Sequence, residues 1–205
     1  MLALAGELDL MEAGRSDAEL DDELMITLQE GRGAARDEAF RTLAHRHAAA
    51  VQGFARSLLG KAEGAEDVAQ EVFLRVYQAR ERYVPGRAPF RAWLFRIARN
   101  LALNARRDRS RRRSTVLEDA DDLEESGAGP ARAREQRLDA EALDDAVSRL
   151  PSGEREVIAL RFKEGLSYEE IGSILGGGAA ALKQKTWRAL QRLRTLLGAE
   201  EEGST

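Results

Sequence analysis

Residues 66–113 read EDVAQEVFLRVYQARERYVPGRAPFRAWLFRIARNLALNARRDRSRRR, and their pattern decides the fold. Two helical periods flank a loop that carries Pro85, Gly86 and Pro89. In the first, Val68, Val72 and Val76 recur every four residues beside Ala69, Phe73 and Tyr77. One apolar stripe results, and Asp67, Gln70, Glu71 and Arg75 are left outside. In the second, Phe90, Trp93, Leu94, Ile97, Ala98 and Leu101 form the buried face, while Arg91, Arg96, Arg99, Arg106 and Arg107 project elsewhere. From Arg87 to Arg113 there are ten arginines and a single acid, Asp108. Aromatic side chains interleaved with that much positive charge suggest a nucleic-acid surface.

The bulk numbers agree only once charge is read locally. Net charge over 205 residues is −4, which by itself argues against a polyanionic partner. A basic block can still bind phosphates while acidic segments elsewhere cancel it in the sum. Charged residues make up 33% and aromatics 5%, so small helical domains packed with Leu and Ala are expected. There is no cysteine, which excludes disulfides and thiolate zinc sites and fits a reducing cytoplasm. No apolar run approaches the ~20 residues of a membrane span, so no membrane insertion is expected. The opening MLALAGELDLMEAGR has no basic residue ahead of its apolar ones and is acidic, so it does not read as a secretory signal.

In chain order, residues 1–20 show no sustained period and read as an extension. Asp21 or Asp22 is placed to cap a helix from about Glu23 with Leu24, Met25 and Leu28 on one side. Phe40, Leu43, His47, Val51, Phe54 and Leu58 then mark one face of a long helix, broken by Gly60 and Gly64. His45 and His47 are two residues apart, so on a helix they point away from each other; no metal site is expected, with His47 in the core. No nucleophile–base set, phosphate loop or dinucleotide glycine pattern occurs, so neither an enzyme nor a cofactor is expected. A first domain thus spans 21–113.

Residues 114–137 include LEDADDLEE, six acids in nine residues, then Ser126, Gly127, Gly129 and Pro130: a flexible acidic linker. A second domain covers 138–198, with a tail at 199–205. Leu143, Ala146, Val147 and Leu150 form a helix face ended by Pro151, and Ser152 is expected to cap the next helix, closed by Gly165. Ser167-Tyr168-Glu169-Glu170 is a capping box for a short helix. After Gly176-Gly177-Gly178, a last helix from about Ala179 to Leu197 turns Leu182, Ala189, Leu190, Leu193 and Leu197 inward. Short helix, glycine turn and basic helix make a helix-turn-helix. The fold class expected is all-α: two small helical domains, the second containing that motif.

The stretches DVAQEVFLRVY and FRAWLFRIARNLALNARR resemble the second conserved domain of bacterial sigma factors of the extracytoplasmic-function (ECF) class. LPSGEREVIALRFKEGLSYEEIGSILG resembles their fourth, which binds the −35 promoter element. The resemblance spans roughly residues 21–197 and implies a protein that binds core RNA polymerase and directs it to a subset of promoters. It implies that Asp67, Gln70, Glu71 and Phe73 dock on the polymerase. It implies that the loop Tyr83–Phe90 and the helix Arg91–Arg107 open and read the −10 element, through Tyr83, Arg87, Phe90, Arg91, Trp93, Arg96, Arg99, Asn100, Arg106 and Arg107. It implies −35 contacts by Lys183, Gln184, Lys185 and Arg188, a linker running through the polymerase cleft, and an anti-sigma factor as a candidate further partner. Two alternatives are a stand-alone helix-turn-helix regulator and a sigma-like interaction protein with weakened promoter reading.

One departure bears on the second. Family members usually carry an apolar residue and Ser-Glu-Gly-Thr where this chain has Gly177, Gly178, Ala179, Ala180 and Ala181. Methyl groups offer a base edge no hydrogen bond, so −35 reading should fall mainly to Gln184 and Lys183.

Overall fold

The structure, a computed structural model, describes residues 16–60, 64–115 and 142–202. The extension to Arg15, nearly all of the acidic linker and the end of the tail lie outside the described residues. Among the described residues the secondary structure is helical, with no strand.

Helix α1 is Asp17–Glu30, earlier than a cap at Asp21 or Asp22 would place it. Ser16 caps it, and Glu19 reaches back to the Ser16 N–H to complete a capping box. Asp21 is instead inside the helix with no exposed surface. Helix α2 (Ala34–Leu59) buries Leu43, His47, Val51, Phe54 and Leu58 as their spacing predicts, and stops at Gly60 in a left-handed conformation. Helix α3 (Ala65–Gln78) buries Val68, Ala69, Val72, Phe73 and Val76. A 3-10 turn, Arg80–Arg82, leads through the loop to α4, Phe90–Thr115. Helix α2 packs against the other three. Fully buried Phe54, Phe90 and Phe95 anchor this core, each contributing about 1.5–3 kcal/mol. Phe95 lies edge-on to Phe54 at 5.3 Å and belongs to the core, although the stripe read from the sequence omits it.

The second unit comprises α5 (142–148), α6 (Ser152–Ile158), α7 (Tyr168–Leu175) and α8 (Ala179–Glu202). The residue capping α6 is Pro151, not Ser152; its carbonyl accepts from the N–H groups of Glu154 and Arg155. A π-helical turn, Ala159–Lys163, follows α6. The capping box of α7 forms as expected, with Glu170 donating to Ser167 Oγ and accepting from the Ser167 N–H. Ala146, Val147, Leu150, Ile158, Ala189 and Leu193 make a small core of their own. The other face, with Val157, Leu160, Leu166, Ile171 and Ile174, is continuous with the core of the first unit. Helix α7 lies on α4, and α6 on α2.

Candidate nucleic-acid and polymerase interface

On α3 the apolar stripe faces inward and leaves Asp67 and Gln70 exposed and Glu71 half-buried. Glu71 holds Arg75 at 2.9 Å, one helical turn on. Phe73 does not join them: it is buried in the core, one position round from the outer face, and supports the helix from beneath. The apolar residue on the outside is Leu74, 48% exposed. With Asp67, Gln70 and Glu71 it completes an i, i+3, i+4, i+7 face, a spacing visible in the sequence.

The aromatic residues of the loop behave differently from expectation. Tyr83 and Phe90 are buried and cannot meet a base from outside. Their rings meet edge-on or tilted in a cluster with Trp93 and His47: Tyr83–Phe90 at 5.9 Å, Tyr83–Trp93 at 5.4 Å and His47–Phe90 at 5.4 Å. Burial first, then a hydrogen bond to the Asp22 carboxylate, push the Tyr83 phenol well above its ordinary pKa. What faces solvent is the rim. Val84, Arg87 and Arg96 are exposed and Trp93 is half-buried around an open cleft of about 390 Å³. Further along α4, Asn100 and Arg107 are exposed and Arg106 is half-buried. The cleft combines cations with an aromatic face, which suits a phosphate chain and an unpaired base together.

Two arginines assigned to DNA are held by the second unit. Arg91 donates to the Glu164 carbonyl at 2.7 Å and lies 3.5 Å from its carboxylate. Arg99 Nε donates to Glu156 at 2.6 Å. Both carboxylates are almost fully buried, and burial, opposed by Arg91, raises the pKa of Glu164. Arg155 crosses the same boundary: it donates to the carbonyls of Ser148, Leu150 and Ser57, the last at 3.4 Å. Burial, with Arg106 nearby, lowers its pKa. In this arrangement Arg91 and Arg99 are not free to contact DNA.

On α8, Lys183, Gln184 and Arg188 are exposed and Lys185 is half-buried. The Lys183 ammonium lies 5.7 Å from the centre of the Tyr168 ring. Leu182 is buried as expected, whereas Leu190 is 42% exposed, and so is Trp187 at 62%. Leu143, expected on the inner face of α5, is also exposed. The turn runs through Gly176 and Gly177, both at positive φ (78° and 96°). A side chain at Gly178 would meet open space.

Asp22, Gln29, Glu156 and Glu164 take part in these surfaces without a signal in the sequence, because each acts through a partner far along the chain. His47 is engaged by Asp21, and no group of potential metal ligands occurs among the described residues. No helix among them is long and apolar enough to cross a membrane.

Comparison with known proteins accounts for both units. The Sigma-70 region 2 family matches residues 43–112, and the Sigma-70, region 4 family matches 146–195. The RNA polymerase sigma factor CarQ of Myxococcus xanthus is 38% identical over 80% of this chain and 92% of its own length. The ECF RNA polymerase sigma factor SigE of Mycolicibacterium smegmatis is 38% identical over 76% of this chain, which spans 60% of that protein. The solved structure of CnrH in complex with the cytosolic domain of CnrY matches with a TM-score of 0.66 at 28% identity, over 88% of this chain and 98% of that one.

Proposed function

The chain belongs to the extracytoplasmic-function sigma factors, which bind core RNA polymerase and direct it to promoters, and from that premise we propose how its surfaces divide the work. The outer face of α3, with Asp67, Gln70, Glu71 and Leu74, docks on core polymerase. Acid and amide groups around one exposed leucine give a small apolar contact inside a polar rim. The loop 83–89 and the start of α4 open the −10 element. Arg87 and Arg96 hold the strand, and the cleft beside Trp93 takes an unpaired base. Asn100, Arg106 and Arg107 follow the adjoining backbone. Helix α8 takes the −35 element with Lys183, Lys185 and Arg188 on phosphates and Gln184 toward base edges. Arg91 and Arg99 join the DNA surface when the second unit lifts from α4.

The protein does no chemistry itself, and works in the cytoplasm, where polymerase and promoter are. The solved relative CnrH is in complex with the cytosolic domain of CnrY, and a protein of that kind is the further partner proposed here. The observation that carries the −10 assignment is the cationic, aromatic-walled cleft bounded by Arg87, Trp93 and Arg96. A promoter scan with core polymerase and Arg87→Ala and Arg96→Ala variants tests it. The variants should lose discrimination at −10 positions while keeping affinity for core. If both variants discriminate as wild type does, the cleft is not the −10 reader.

A further inference from the structure

The loop proposed to read the −10 element is fastened from a helix that the region 2 match, beginning at residue 43, does not include. Asp22 and Gln29 stand seven residues apart on α1, two turns of one helix face. The Asp22 carboxylate accepts from the Tyr83 hydroxyl with one oxygen, and from the Gly86 N–H at 3.1 Å with the other. The Gln29 amide donates to the carbonyls of Arg80 at 2.7 Å and Tyr83 at 2.8 Å. Four bonds thus hold the segment 80–86 from one side, while Val84 and Arg87 on its other side are exposed.

The backbone makes this grip consequential. Arg87 N–H donates to the Val84 carbonyl at 3.2 Å, closing a turn with Pro85 second and Gly86 third at φ 74°. That is the pattern of a type II turn, which differs from type I by a flip of the central peptide, here the one whose N–H belongs to Gly86. The Gly86 N–H is engaged, by Asp22. The direction in which Arg87 leaves the turn therefore depends on a carboxylate more than sixty residues earlier in the chain.

We propose that Asp22, assisted by Gln29, is a positioning residue for promoter specificity: it sets the geometry of the Val84–Arg87 turn and so decides which −10 bases the cleft accepts. The proposal rests on the loop being the −10 reader, and the experiment separates the two. Side chains that read a ligand need placement to roughly 0.5 Å, which a seven-residue loop without these bonds does not hold.

Three variants are compared with core polymerase on promoters altered singly at −10 and −35 positions. Asp22→Ala should reduce −10 discrimination about three- to tenfold, as expected for losing one or two hydrogen bonds that orient the reader. Its −35 discrimination and its affinity for core should be unchanged, a split that a general loss of fold would not produce. Asp22→Asn should restore most of the discrimination. An asparagine oxygen can accept from Gly86, and its amide can donate to the Tyr83 oxygen, whose own proton turns to the Ala88 carbonyl 3.2 Å away. Arg87→Ala is the control for the reading itself. If Arg87→Ala loses −10 discrimination and Asp22→Ala keeps it, the proposal is overturned and the reading stands. If neither variant alters it, the reading falls and takes the proposal with it. Should Asp22→Ala not fold, Gln29→Ala carries the same expectation through the Arg80 and Tyr83 carbonyls, and unchanged −10 discrimination there overturns the proposal.

Discussion

Asp21 has no exposed surface, yet it keeps a charge-bearing side chain in the core between His47 Nε2 at 2.9 Å and Arg46 Nε at 3.1 Å. Arg46 also reaches Asp17 at 2.8 Å, so the group ties two turns of α1 to α2. Such a pair adds little over a well-packed apolar one, but removing Asp21 leaves His47 buried without its partner, while Arg46 keeps Asp17. Asp21→Ala should therefore cost about 3–5 kcal/mol, with Asp21→Asn distinctly milder, in urea denaturation. Equal, small losses for both would show that water or neighbouring groups take over the carboxylate's role. Glu164 presents the opposite case. Its raised pKa means that the folded chain keeps a proton which the unfolded chain has released, over a window opening near the usual glutamate value of about 4.3. The stability it contributes is fully present below that window and is lost as pH rises through the folded pKa. Glu164→Gln has no such loss, so its urea midpoint should gain on the wild type as pH goes from about 4 to 7. A difference that stays flat over this range would mean that Arg91 offsets the burial in full.

At the scale of elements, the helix-turn-helix depends on close approach rather than on side chains in its turn. A Cβ at Gly172 would lie 2.9 Å from the Gly177 carbonyl oxygen, backbone that cannot swing aside. Alanine would gain up to about 1 kcal/mol of helix propensity in α7, but the overpacking costs about 1–3 kcal/mol. Gly172→Ala should lower the melting temperature of the chain and weaken −35-dependent transcription, whereas Gly178→Ser, with open space around it, should leave stability within about 0.5 kcal/mol. An unchanged melting temperature for Gly172→Ala would show that the turn moves freely. This motif was legible in the sequence because its signals are local: the Ser167–Glu170 box, the glycines and the inward Leu182. The valine stripe of α3 was legible for the same reason. The start of α1 was misplaced because two adjacent aspartates resemble a cap, while Ser16 and Glu19 supply the bonds. The burial of Tyr83 and Phe90 was not legible, because spacing shows that aromatics stand beside arginines, not which way each points.

For the whole molecule, the decisive feature is that the two units share one core and two half-buried ion pairs, Arg91–Glu164 and Arg99–Glu156. No periodicity could announce this, since the partners stand 73 and 57 residues apart. Two glutamates occupy the guanidinium groups that DNA phosphates would need, so closure and DNA binding compete. Glu156→Gln, which removes the carboxylate held by Arg99, should let the free chain bind promoter DNA more tightly, whereas Glu164→Gln leaves the carbonyl bond to Arg91 in place. The log–log salt slope should also steepen, by roughly 0.7–0.9 for each arginine released to a phosphate. Unaltered affinity and slope in a fluorescence titration would show that closure does not limit access. The chain's central property is promoter choice conferred on core polymerase, through α3 toward the polymerase and α4 and α8 toward DNA. Run-off transcription with purified core polymerase on a promoter library tests that most directly. Transcripts should come from a defined subset only when the chain is added, be lost on −10 changes, be less affected by −35 changes, and be abolished by combined Asp67→Ala and Glu71→Ala in a folded protein. Transcripts that are the same with and without the folded chain would contradict it.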